Sequence, residues 1–122
     1  MVEIELNMPI KSFNLNQLTN SNRANMYGAA AKKKKAMRDI YFLIKHQIKE
    51  PLTGKYKVSA TWRVTSKNRD LDNLLLKNIF DSMQENNLLK NDNLNHIVEI
   101  SHDFEIVKKA DEGVTVRFEE VE

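Results

Sequence analysis

The sequence predicts an α+β fold, with two main helices packed on a mixed four-stranded sheet in the order β-α-β-α-β-β. Three observations carry this. Four segments alternate apolar and polar residues, the period of a strand with one face buried. Two longer segments repeat apolar residues at helical spacing. No repeat or linker divides the 122 residues, so 1–122 reads as one domain with one modest core. Helices on a mixed sheet follow from that order; the order of strands within the sheet does not.

The elements follow along the chain. Val2, Ile4, Leu6 and Met8 alternate with polar residues and form a first strand that Pro9 ends. Lys11 to Asn25 is rich in asparagine and forms a polar loop or helix approach, with Asn20 or Ser21 as cap. From about Arg23 to Ile48 the stripe Tyr27, Ala30, Met37, Tyr41, Ile44, Ile48 marks the first helix. Lys32 to Lys35 cover a whole turn of it, so Lys34 falls on the stripe and must snorkel. Pro51 and Gly54 turn the chain into the clearest strand, where Tyr56, Val58, Ala60, Trp62 and Val64 share one face.

The second helix is expected from about Asn73 to Asn86, capped by Asp72 or Asn73, with Leu75, Ile79 and Met83 buried. His96, Val98, Ile100, His102, Phe104 and Ile106 then share a face of a third strand. That face reads as buried, which makes its two histidines packed or half-buried residues rather than ligands. Asp111-Glu112-Gly113 turns the chain into a fourth strand lined by Val114, Val116 and Phe118.

Composition excludes several classes of function. Charged residues are 30% and apolar residues 41%, an ordinary folded mix. The net charge of +2 does not by itself demand nucleic acid, although cations gather at Lys32 to Lys35 and at Lys67 and Arg69. There is no cysteine, hence no disulfide and no thiolate metal site. No apolar run approaches the ~20 residues of a membrane span and no secretory segment is evident, so the expected location is cytoplasmic and off the membrane. Three glycines leave no material for a phosphate-cradling loop, and no Ser-His-Asp or Cys/His arrangement is present.

One stretch stands out chemically: Lys67-Asn68-Arg69-Asp70-Leu71-Asp72-Asn73, directly after the clearest strand. Carboxylates at i and i+2 of an extended turn point the same way, as shared ligation of a hard divalent cation requires. An EF-hand loop is excluded, because Leu74 and Leu75 occupy the positions where it needs an oxygen ligand and a glycine. A helix cap is the competing role for Asp72. Asp92, in Lys90-Asn91-Asp92-Asn93, is a candidate third ligand if its loop returns to the same end of the helix.

Asp70-Leu71-Asp72-Asn73-Leu74, then Lys77, then Phe80-Asp81-Ser82-Met83, then Asn91-Asp92 resembles the RusA family of Holliday junction resolvases. The likeness runs from Lys67 to about Ile100; more loosely, Asn14-Leu15-Asn16 is similar to the family's Ser-Leu-Asn start. The resemblance implies that Asp70, Asp72 and Asp92 hold a catalytic Mg²⁺ and that Lys77 is the essential lysine. It also implies that Arg69 is the basic residue before the first aspartate. This chain departs from the family pattern twice: Lys77 follows Asp72 by one residue more, and Asn91 replaces the first of a closing pair of aspartates.

The expectation is therefore a Mg²⁺-dependent endodeoxyribonuclease of recombination and repair. It would resolve four-way DNA junctions by paired, symmetric phosphodiester hydrolysis, acting as a homodimer because the junction has two-fold symmetry. Lys67, Arg69, Lys32, Lys33, Lys34, Lys35 and Asn16 are its candidate DNA contacts. The alternatives are a nuclease on other branched DNA and a non-catalytic DNA-binding module.

Overall fold

In the computed structural model, β1 (Val2–Leu6), α1 (Met26–Ile44), β2 (Lys55–Val64), α2 (Lys77–Glu85), β3 (Ile97–Ile106) and β4 (Gly113–Val121) follow one another in the expected order. The structure describes residues 1–13, 26–66 and 76–121, with backbone alone for 11, 12, 26–30 and 32. Short 3₁₀ turns add Ile10–Phe13 and Lys109–Asp111. The two helices accompany a mixed four-stranded sheet, as predicted.

Strand order is β1-β4-β2-β3. β4 is antiparallel to both of its neighbours, whereas β2 and β3 are parallel and joined through α2. The turn after β3 is therefore not a hairpin. It carries the chain across the end of β2, where the Val107 amide donates to the Val64 carbonyl at 2.8 Å. Gly113 then enters beside β1. A Cβ there would stand 2.2 Å from the Leu6 carbonyl oxygen, so the close approach of the two backbones excludes any side chain.

Arg63 fastens this corner. Its guanidinium donates to the Asp111 carbonyl (2.9 Å), the Thr115 hydroxyl (2.6 Å) and the Asn7 side-chain oxygen (2.8 Å). The core lies between sheet and helices. The alternating positions of β2 supply Val58, Ala60, Trp62 and Val64, and β4 supplies Val114, Val116 and Phe118. Phe13 meets Trp62 edge-on, with ring centroids 5.5 Å apart.

Four readings change. First, α1 ends at Ile44, and its buried residues include Ile40, absent from the expected stripe. The inward face turns accordingly: Lys34 is exposed, and Lys33 is the lysine turned toward α2. Second, α2 begins at Lys77, with Leu76 at the cap position and no side-chain cap bond, so neither Asp72 nor Asn73 caps it. Burial of Leu76, Ile79, Phe80 and Met83 fixes its inward face instead.

Third, the apolar face of β3 is not buried. Ile100, Phe104 and Ile106 are 46%, 38% and 51% exposed, because β3 is an edge strand beyond the cover of the helices. Val98 falls at a register shift against β2, where Ile97 takes the buried position instead. Fourth, His102 is exposed on that face rather than packed within a core.

Candidate functional site

The acidic stretch joins β2 to α2. Lys67, Arg69, Asp70 and Asp72 lie outside the described residues, as do Asn16 and the side chain of Lys32; their flanks, Ser66 and Leu76, are described. Lys77 is the first residue of α2. No turns of α2 therefore set a helical phase between Asp72 and Lys77, and the extra residue between them falls before the helix.

Lys77 is 65% exposed and its Nζ lies 3.7 Å from Asp81 Oδ2, one turn further along. Lys33 reaches the same oxygen from α1, at 3.1 Å. Asp81 is the least exposed of the three, at 22%, and gathers two cations one turn into α2. The neighbours of Asp81 are structural. Phe80 and Met83 are buried in the core, and the buried Ser82 hydroxyl donates to the Met37 carbonyl of α1 at 2.8 Å. That bond and the Lys33 pair hold the two helices together.

A groove of about 600 Å³ runs between these helices, lined by Lys33, Lys34, Met37, Arg38, Glu85 and Asn86. Lys34 and Arg38 are exposed there, one turn apart on α1. Lys35 turns elsewhere, its Nζ 2.8 Å from Asp39 Oδ2. Of the tetralysine, then, Lys33 is drawn to a carboxylate across the groove, Lys34 lines it, and Lys35 is paired along its own helix. Arg38 and Asp81 are the two participants that the sequence reading missed. Both follow from i, i+4 spacing, Arg38 from Lys34 and Asp81 from Lys77.

Asp92 is exposed, in the loop that leaves the C-terminal end of α2. That end closes in a Schellman pattern: Leu88 N–H donates to the Met83 carbonyl, Asn87 N–H donates to the Gln84 carbonyl, and Asn87 is left-handed at φ 59°. The loop is then pinned to the entry of β2, through Leu52 N–H to the Leu88 carbonyl and Tyr56 N–H to the His96 carbonyl, both at 2.8 Å. Asn91 and Asn93 side chains each accept an amide two residues on, bracketing Asp92 with Asx turns. Asp92 thus lies by the start of β3, and its carboxylate makes no hydrogen bond or ion pair to another described residue.

Among the described residues no three His, Asp or Glu side chains gather as a metal site. No family model matches the chain, and no curated protein sequence matches it. No described helix is long and apolar enough to cross a membrane.

Chemically, the described part of the site can bind anions. Lys34, Arg38 and the Lys33–Asp81–Lys77 group place four cations on one side of α1 and α2, against the carboxylates Asp81 and Glu85. Such a surface suits a phosphate backbone read without regard to sequence.

Proposed function

We propose that the chain is a Mg²⁺-dependent, structure-selective endodeoxyribonuclease that resolves four-way DNA junctions as a homodimer. The observation that carries the reading is Asp81, one turn into α2, drawing Lys33 toward Lys77, the first residue of the helix and five positions after Asp72 in the sequence. Carboxylates for a cation and lysines for phosphate thus follow one another closely in the sequence, and phosphodiester hydrolysis would use both.

Asp70, Asp72 and Asp92 would hold the Mg²⁺, which supplies charge to polarise the scissile phosphate and to lower the pKa of a bound water. Asp92, without a described partner, keeps its oxygens available for that role. Convergence makes one geometric demand. Asp92 follows the C-terminal end of α2, whereas Asp72 precedes its start. The nine residues of α2 rise by about 13 Å. The four residues from Asp72 to Leu76 reach about 14 Å when extended, comparable with that rise. Asp70 is tethered as well to Ser66, past the end of β2 opposite to the entry where the Asp92 loop is pinned.

Lys77 places a point charge on the phosphoryl oxygens, where negative charge grows as the bond to the leaving oxygen breaks. Lys33, Lys34 and Arg38 hold the flanking backbone, with Lys67 and Arg69 as further proposed contacts. Asn16, Lys32 and Lys35 complete the proposed contacts. Paired symmetric cuts need two such sites related by a dyad.

The test is cleavage of a labelled four-way junction with and without Mg²⁺. Symmetric nicks that require Mg²⁺ support the reading. Cleavage confined to flaps or forks would replace it with a nuclease on other branched DNA, and binding without cleavage would replace it with a DNA-binding module.

A further inference from the structure

The exposed face of β3 is locally symmetric about His102. Its side chains run Ile100, His102, Phe104, Ile106, with a large apolar residue two positions to either side of His102. They lie on the same side of the sheet as Val58, Ala60, Trp62 and Val64, their parallel partners on β2 being buried while they are not. His102 is held in place there: the buried Trp62 indole N–H donates to its Nδ1 at 3.0 Å, with the rings stacked at 17°.

We propose that this face is the seat of a second copy of the chain, packed face to face across a dyad at His102. A two-fold axis in the plane between two such strands runs them antiparallel. It sets Ile100 against Phe104 of the other copy, with Ile106 flanking the pair. The face carries no aspartate, glutamate, lysine or arginine, so nothing charged is desolvated by the contact. The three apolar side chains, Ile100, Phe104 and Ile106, leave roughly 250 Å² in water, given ~150–250 Å² for large side chains. That matches the apolar centre of an interface burying ~800 Å² per partner, the remainder being polar rim.

Pairing of the two strands edge to edge is disfavoured. It would set residues of like face opposite one another, and the other face of β3 carries Glu99, Asp103 and Glu105. Registers that overlap most of the strand place Glu99 opposite Asp103 or Glu105, a like-charge contact that destabilises a sheet.

The inference rests on the homodimer of the proposed function and gives it a surface. Sedimentation of the full chain tests it, comparing the wild type with the double variant Ile100→Glu, Phe104→Glu. A wild-type dimer that weakens at least tenfold in the variant is the expected result. Because the variant can fail to fold, a second measurement uses the absence of cysteine in the natural chain. His102→Cys should cross-link to a dimer with a short bis-maleimide, and Asp103→Cys, on the opposite face, should not. A monomeric wild type, a variant that dimerises unchanged, or equal cross-linking at both positions overturns the proposal. Junction cleavage assayed on the same samples separates the two readings: a dimer through this face that never cuts DNA retains the interface and loses the nuclease.

Discussion

Lys33 on α1 and Asp81 on α2 meet with Nζ 3.1 Å from Oδ2, and this pair sets which lysine of the tetralysine faces the second helix. Lys77 approaches the same oxygen at 3.7 Å, so one carboxylate restrains two cations. Asp81→Asn should free both for phosphate. The expected result is tighter binding to all DNA shapes and a steeper dependence on salt, by up to about 0.9 in log–log slope for each further phosphate neutralised. Both lysines are well exposed, so thermal unfolding should register a loss of no more than about 1 kcal/mol. Weaker DNA binding by the variant would show that Asp81 positions the lysines rather than competing for them.

Lys34 and Arg38 face the inter-helix groove one turn apart. Replacing both with alanine should flatten the salt slope by roughly 1 to 2, two phosphates at about 0.9 each, and weaken binding without regard to DNA shape. Lys33→Ala should do less, since Lys33 is already engaged by Asp81. An unchanged slope in the double variant would reduce the groove to a solvated helix face.

Lys77→Ala isolates the proposed catalytic charge. At 65% exposure its side chain contributes little to the fold, so melting should be nearly unchanged. Cleavage of a four-way junction at saturating enzyme should fall by about 10²-fold or more, the usual cost of removing a preorganised electrostatic partner of a transition state. Near-normal cleavage would transfer the role to Arg69 or Lys67.

Asp72→Asn should abolish cleavage and leave junction binding intact or tighter, because it removes a ligand and a negative charge facing phosphate. Leu76 holds the cap position of α2, so loss of a helix cap does not compete as an explanation. Loss of binding together with cleavage, checked by a mobility shift, would point to a folding role instead.

Strand and helix content was legible because alternation and helical spacing are local. Tyr56 to Val64 shows it best: all five residues on the predicted inner face are buried. Strand order was not legible, because β4 inserts between β1 and β2 through long-range pairing that no single segment encodes. The apolar face of β3 shows the limit of pattern reading. Alternation reports which residues share a face, but only the edge position of the strand decides that this face stays wet.

The phase of α1 slipped because the tetralysine offers no apolar marker through its turn: the spacing from Tyr27 and Ala30 puts Lys34 on the stripe, whereas the buried Ile40 and Ile44 put Lys33 there. Within the site, the Lys77–Asp81 pair could be read from spacing, whereas the Lys33–Asp81 pair depends on how the helices pack.

The central claim is that three carboxylates from two distant loops hold one cation. Crystals of the protein grown with Mn²⁺ in place of Mg²⁺ test it directly through anomalous scattering. The account predicts a peak bonded to oxygens of Asp70, Asp72 and Asp92 at about 2.0–2.6 Å, the range for hard divalent cations, and its loss in Asp72→Asn. A bound ion that leaves Asp92 uncoordinated, or no ion near Asp70 and Asp72 at saturating Mn²⁺, would contradict it.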